Sequence, residues 1–332
     1  MISTWPWSLI PLITRETIVY IFGCHYRNKV IANKSRKTLG VLLSSAAVIL
    51  VLGLLGGCSG ESKEKVAPKK GPYYLSIGDS YAAGFRPAVD GHDAENSTDG
   101  FAFKIASQTG LTLMNYACSG ITAVDYVEGA PCVPTARPVG GPEPTDSSEG
   151  DAVLAWLDKH GDEVELVTVI LGGNDVQGCI EAADWRTCSK SEMKRVQVTL
   201  DQLLSGIRAR VGDSVPIIGL NYPNVLLANP ALSPVPDGDA TESIEFFNEI
   251  INPALKETYE KHGVKTADVT AAFGGNLPAD DMVDSEEFGT IPRRAEQICQ
   301  LTYYCQLRDV HPTNEGHRRI AELVLKVNQK QS

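Results

Sequence analysis

From Tyr73 onward, short apolar runs alternate with amphipathic segments, and this alternation constrains the fold more than any other feature. Leu166–Leu171, Leu-Val-Thr-Val-Ile-Leu, is a nearly unbroken apolar run, as a strand buried on both faces requires. Val215–Leu220 has the same character, and Tyr73–Ile77, Leu111–Tyr116 and Val264–Val269 are further β-prone runs. Segments with helical periodicity lie between them. The pattern predicts helices at Phe101–Thr109, closed by Gly110, at Asp151–His160, ending at Gly161, and at Ser189–Val211. The last of these carries Met193, Val196, Leu200, Leu203, Leu204, Ile207 and Val211 on one side. A helix over Thr241–His262 is expected to be interrupted at Pro253, and a final one from Thr313 to bury Ile320, Leu323, Val324 and Val327. Five strands with helices between them imply an α/β fold, a mostly parallel sheet covered on both faces.

The 332 residues suffice for one large domain or two small ones. No second domain and no internal repeat are visible. Two irregular stretches are long: Phe85–Gly100, and Gly129–Gly150 with its five prolines. Long loops in a compact domain are more often functional or flexible than structural. The net charge of −11 argues against a nucleic-acid partner, which needs a basic face to neutralise phosphates.

The first 57 residues differ from the rest. Lys34, Arg36 and Lys37 precede an apolar run, Leu39–Leu55, and Leu55-Gly56-Gly57-Cys58 follows it. A basic segment, an apolar segment and small residues before a cleavage point describe a secretory signal. Small residues before a Cys resemble a bacterial lipobox. That resemblance implies cleavage before Cys58 and a diacylglycerol thioether on its sulfur, which would anchor the chain to a membrane. A plain signal anchor is the alternative, although about 17 residues is short for spanning a bilayer. Residues 30–57 are thus expected to be the signal. Residues 1–29 are expected to lie upstream of a true start near Val30, because signals run about 15–30 residues. Residues 58–71 form a polar, Lys-rich tether, and residues 72–332 the folded domain. Residues 1–57 hold six basic residues and one acidic residue, so their removal lowers the net charge by five, to −16.

Six cysteines remain beyond Cys24 and Cys58: Cys118, Cys132, Cys179, Cys188, Cys299 and Cys305. They fall into three sequence-local pairs, which suits disulfides in an oxidising compartment. Their positions alone leave the connectivity open. No Cys-x-x-Cys and no His at ligand spacing accompanies a pair, so a metal site is not expected. Asp237-Gly238-Asp239 and Asp280-Asp281 lack the spaced oxygen ligands of a calcium loop, and read as solvated acidic surface.

In an open α/β sheet, ligands bind beyond the carboxyl ends of the strands. Gly78-Asp79-Ser80-Tyr81-Ala82-Ala83-Gly84 follows the first strand, and Ala117-Cys118-Ser119-Gly120 the second. Gly172-Gly173-Asn174-Asp175 follows the third, and Asp309-Val310-His311-Pro312 lies near the C-terminus. Each piece alone is compatible with an ordinary turn. Together and in this order they resemble the GDSL/SGNH hydrolase family, over nearly the whole domain from Pro72 to the last helix. The similarity is greatest to secreted actinobacterial lipases and esterases of that family. It implies a three-layer, flavodoxin-like α/β/α fold with a five-stranded sheet. It also implies three local disulfides, Cys118–Cys132, Cys179–Cys188 and Cys299–Cys305.

The resemblance makes Ser80 the nucleophile, His311 its base, and the Ser80 N–H, Gly120 N–H and Asn174 amide the oxyanion donors. The residue types suit the chemistry. A serine hydroxyl needs a neighbouring base, and a tetrahedral oxyanion needs preorganised donors. One departure matters. The family pattern is Asp-x-x-His, but Arg308 stands three before His311, and the acid, Asp309, only two before. The partner of the imidazole is thus either the Asp309 carboxylate or the Arg308 carbonyl. Gly212-Asp213-Ser214 is a second Gly-Asp-Ser, but it precedes a strand and should be an ordinary turn. His160 and His262 end helices before glycines and read as structural. His92 lies in a loop and His317 inside the last helix.

The expected function is a serine esterase or lipase acting on an ester or lipid substrate through an acyl-Ser80 intermediate, without a cofactor. It is expected to be a monomer, outside the cytoplasmic membrane. An acyltransferase delivering the acyl group to a sugar or lipid hydroxyl of the cell envelope is the alternative. A non-catalytic surface lipoprotein is a third reading, against which the intact Ser80, Asn174 and His311 weigh.

Overall fold

The structure is a computed structural model that describes residues 71–89, 91–180, 182–232 and 238–329. The expected signal, lipidation site Cys58 and tether lie outside them, apart from Gly71, and so does Asp237.

All five expected strands form one parallel sheet: β1 (Tyr73–Gly78), β2 (Thr112–Asn115), β3 (Val164–Ile170), β4 (Ile217–Leu220) and β5 (Lys265–Ala267). Their spatial order is β2-β1-β3-β4-β5. β1 is buried at every position, as a strand covered on both faces must be. The one hydroxyl in the apolar run of β3 is satisfied across the sheet: Thr168 Oγ1 lies 2.7 Å from Tyr74 Oη on β1. The strands meet tightly at the top of β1, where a Cβ on Gly78 would lie 2.7 Å from Ile170 Cγ2.

Helices cover the sheet. α2 (Phe101–Thr109) packs on the C-terminal helix α8 (Asn314–Gln329). α3 (Ala123–Glu128) and α4 (Glu149–His160) pack on the long α5 (Trp185–Val211), which also meets α6 (Asn252–Lys261). The apolar stripe expected on α5 is buried from Met193 to Val211. Each fully buried Leu, Ile or Val side chain contributes about 1.5–3 kcal/mol. On α8, Ile320 and Val324 are fully buried, whereas Leu323 and Val327 pack at the rim.

Two local expectations change. The helical run over 241–262 does not break at Pro253. Its turns widen beforehand into a π-helix, Glu245–Ile251, and the Asn252 N–H reaches back to the Phe247 carbonyl. A proline cannot donate and its ring collides with the carbonyl four residues back; a wider turn accommodates both. Gly161 is not a left-handed cap, since its φ is −58°. A glycine is needed because a Cβ there would lie 2.5 Å from the Arg210 carbonyl oxygen. Gly110 and Gly263 do take positive φ, 72° and 63°.

The connection between α5 and β4 carries Gly212-Asp213-Ser214, at the amino end of β4 and away from the other motifs. His160 Nδ1 lies 2.9 Å from Glu163, and His262 Nε2 lies 2.7 Å from Asp201, both structural pairings.

Candidate active site

The loops beyond the carboxyl ends of β1, β2 and β3 bring the sequence motifs together. β1 ends at Gly78, and the Asp79 N–H then donates to Ile170 O at the end of β3, at 3.2 Å. The Asp79 carboxylate accepts the Tyr81 N–H at 2.9 Å and so caps α1 (Ser80–Ala83). Ser80 therefore occupies the first position of a helix begun directly at a strand end. Near the C-terminus, the short helix α7 (Tyr304–Leu307) closes on Arg308, which is left-handed with φ 56°. The chain then turns through Asp309 and Val310 to His311.

Ser80 Oγ lies 2.8 Å from His311 Nε2, and His311 Nδ1 lies 2.7 Å from Asp309 Oδ1. The same carboxylate oxygen accepts the His311 backbone N–H at 2.9 Å, closing a tight turn. Burial pushes the Asp309 carboxyl upward, but the charge of His311 and these two hydrogen bonds outweigh it, holding the group below its ordinary value. The Phe85 ring packs against the imidazole, centroids 4.5 Å apart.

A hydrogen bond ties Asn174 to the residue after Gly120. The Asn174 side-chain amide donates to Ile121 O at 2.8 Å. The next residue, Asp175, caps α3 by accepting the Ala123 N–H at 2.8 Å. Gly120 has φ 81°, a conformation that side chains disfavour. The Cys118–Cys132 disulfide stands two residues before it. The other two expected pairs, Cys179–Cys188 and Cys299–Cys305, are also bonded.

The two long loops are clasped around Ser119. Ser119 N–H donates to Ala136 O at 2.8 Å, and Ser119 Oγ to Asn96 Oδ1 at 2.6 Å. The Asn96 amide donates to Arg137 O at 2.8 Å. Asn96 pairs with Phe85 in a small antiparallel hairpin, so one rung of it touches His311 through Phe85 and the Gly120 loop through Asn96. Beneath them the Arg137 guanidinium pairs with the fully buried Glu149, whose Oε1 also accepts the Cys132 N–H at 3.1 Å.

Sequence reasoning singled out neither Tyr222, Asn96 nor the Arg137–Glu149 pair. Asp79, Tyr81 and Asp175 stood inside its motifs without roles of their own. Tyr81 Oη donates to Val310 O at 2.7 Å, and Tyr222 Oη to Asp79 Oδ2 at 2.6 Å. These contacts join positions 229 and 143 apart, so no local pattern announces them. Burial pushes the Asp79 carboxyl up to about 6, against the opposing hydrogen bonds from Tyr222 and the Tyr81 amide and the charge of His311. His317 lies buried on α8, accepting the Phe101 N–H at 3.3 Å, and His92 is exposed.

Solved structures offer a comparison of fold. The chain is similar to an extracellular lipase from Streptomyces rimosus, with 18% identity and a TM-score of 0.47, over 76% of this chain and 98% of that one. It is similar to a phospholipase A1 from Streptomyces albidoflavus, with 17% identity and a TM-score of 0.45, over 78% and 100%. It is also similar to an acetyl xylan esterase from Geobacillus stearothermophilus, with 17% identity and a TM-score of 0.43, over 76% and 93%. A comparison with curated proteins finds no match. The sequence profile of the GDSL-like lipase/acylhydrolase family matches residues 76–319, a span that runs from β1 into the last helix and takes in all four motifs. With most of its folded region matched, the chain belongs to the GDSL-like lipase/acylhydrolase family.

Proposed function

We propose that the protein is a serine esterase or lipase in which Ser80, His311 and Asp309 form the catalytic triad. The observation that carries this reading is the unbroken hydrogen-bonded line from Ser80 Oγ through the imidazole to Asp309. The Asp309 carboxylate accepts from Nδ1–H, which leaves Nε2 free to accept the Ser80 proton. Ser80 Oγ then attacks the ester carbonyl carbon while its proton passes to Nε2. The tetrahedral oxyanion is held by the Ser80 N–H, the Gly120 N–H and the Asn174 amide. Two features support these donors. The Ser119 and Ile121 amides are engaged within their loop, whereas no hydrogen bond among the described residues takes the Gly120 N–H. One Asn174 N–H goes to Ile121 O, which fixes the side chain and leaves a second N–H for substrate. As the C–O bond breaks, His311 returns the proton to the departing alcohol. Water, deprotonated by His311, then attacks the acyl-Ser80 ester and releases the acid.

Three disulfides support a location in an oxidising compartment, in keeping with an exported chain held to the membrane through lipidated Cys58. A series of p-nitrophenyl esters from acetate to palmitate tests the activity. Hydrolysis that disappears in Ser80→Ala supports the reading, and a flat zero across the series refutes it. Adding an alcohol to the same assay shows whether water or a hydroxyl is the preferred acyl acceptor.

A further inference from the structure

Three loops must hold register for the proposed chemistry: the Ser80 turn, the Gly173-Asn174 turn and the His311 loop. Tyr81 and Tyr222 link them around the buried carboxylate of Asp79, which is 2% exposed. Asp79 Oδ1 accepts the Tyr81 N–H at 2.9 Å, and Oδ2 accepts the Tyr222 hydroxyl at 2.6 Å. The Tyr222 ring lies flush against Gly173, the residue before Asn174, where a Cβ would come within 2.8 Å of it. Tyr222 reaches this place because it follows β4 at the carboxyl end of the sheet, and its main chain is fixed there. Its N–H donates to Asn252 Oδ1 at 3.1 Å, and its carbonyl accepts from Thr270 Oγ1 at 2.7 Å. Tyr81 meets the Tyr222 ring edge-on at 5.7 Å and ties the far side to the His311 loop through Val310 O.

From this geometry we infer that Tyr222 is a positioning residue for catalysis: its hydroxyl, anchored on the Asp79 carboxylate, holds the ring against Gly173 and so sets the Asn174 amide at its working distance from Ser80. A buried carboxylate is retained only where its oxygens are matched by donors; here one donor belongs to the Ser80 turn and the other to the ring that packs on Gly173. A second tyrosine alone does not provide this link, because Tyr81 contacts the His311 loop and not the Asn174 turn. The inference rests on the esterase reading and adds to it a residue outside all four motifs.

A double-mutant cycle tests it, with kcat and KM measured for a p-nitrophenyl ester in wild type, Tyr222→Phe, Asn174→Ala and the double variant. Tyr222→Phe keeps the ring and removes only the hydroxyl. The expected result is a kcat lower by on the order of 10-fold with KM unchanged, smaller than the roughly 10²-fold loss from deleting an oxyanion donor. In the Asn174→Ala background the same change should have almost no further effect, because Tyr222 acts through that amide. A thermal scan of each variant shows whether it is folded; a merely stabilising hydroxyl would lower the melting temperature without this non-additivity. An unchanged kcat in Tyr222→Phe, or losses that multiply in the double variant, overturns the inference and leaves the esterase reading intact. An unchanged kcat in Asn174→Ala overturns both this inference and the oxyanion assignment beneath it.

Discussion

Ser80 Oγ and His311 Nε2 lie 2.8 Å apart across 231 positions of chain. The serine stands at the end of the first strand and the imidazole just ahead of the last helix. Nearly the whole domain must therefore fold before they meet. What holds them is a set of short polar contacts between loops, and each can be broken separately.

Asp309→Asn should leave the fold intact and lower kcat by on the order of 10³–10⁴-fold, with KM little changed, as expected when the imidazole loses the acceptor that sets its tautomer. Steady-state kinetics on a p-nitrophenyl ester measures this. A loss below about threefold would instead assign the orienting role to a backbone carbonyl, with Arg308 the first candidate.

Asp79 gives a pH dependence of stability. Its folded pKa, about 6, lies above the ordinary carboxylate value of 3.8, so the native state holds a proton that the unfolded chain has lost between those limits. Stability from this group is therefore greatest at about pH 4 and below, and declines as pH rises through about 6. Asp79→Asn removes the effect. Its stability relative to wild type should be higher at pH 7 than at pH 4 by on the order of 3 kcal/mol, read by urea unfolding at both pH values. A difference independent of pH would contradict this account of the buried carboxylate.

The Arg137–Glu149 pair predicts an asymmetry. Glu149 is wholly buried and Arg137 nearly so. Arg137→Met strands a carboxylate and should destabilise by about 3–5 kcal/mol. The double variant Arg137→Met, Glu149→Gln removes the stranded charge and should recover part of that loss. Chemical denaturation of the three proteins decides. A double variant no more stable than the single one would show that the charge is not the problem.

The Cys118–Cys132 disulfide ties down the loop that carries Gly120. Replacing both cysteines with alanine should cost about 2–5 kcal/mol of stability. It should also reduce kcat at temperatures where the variant remains folded, because the Gly120 N–H loses its fixed position. Full activity in a folded variant would show that the Asn96 and Ala136 contacts of Ser119 suffice.

The three central strands were legible as apolar runs, which a sheet covered on both faces demands, whereas the edge strands β2 and β5 showed only as short β-prone segments. The four motifs were legible because glycines, a serine, an asparagine and a histidine recur at strand ends, where ligands bind. Asp309 stayed ambiguous because a spacing of two or three residues says little about which atom reaches Nδ1; the turn that folds the carboxylate back onto the ring decides it. Tyr222 was invisible for a different reason. Its partners, Asp79 and Gly173, sit on other strands' loops, and a tyrosine after a buried strand looks like core until the sheet is assembled. The π-helix at Glu245–Ile251 was misread as a break because Pro253 signals interruption but does not say how the turns ahead of it adjust.

The central claim is that Ser80 is the nucleophile, and covalent labelling with a fluorophosphonate addresses it most directly. Peptide mass spectrometry of the treated protein should place a single phosphonyl adduct on Ser80. The adduct should vanish in Ser80→Ala, and Ser214 of the second Gly-Asp-Ser should stay unmodified. No adduct on the folded wild-type protein, or an adduct on another serine, would contradict the account.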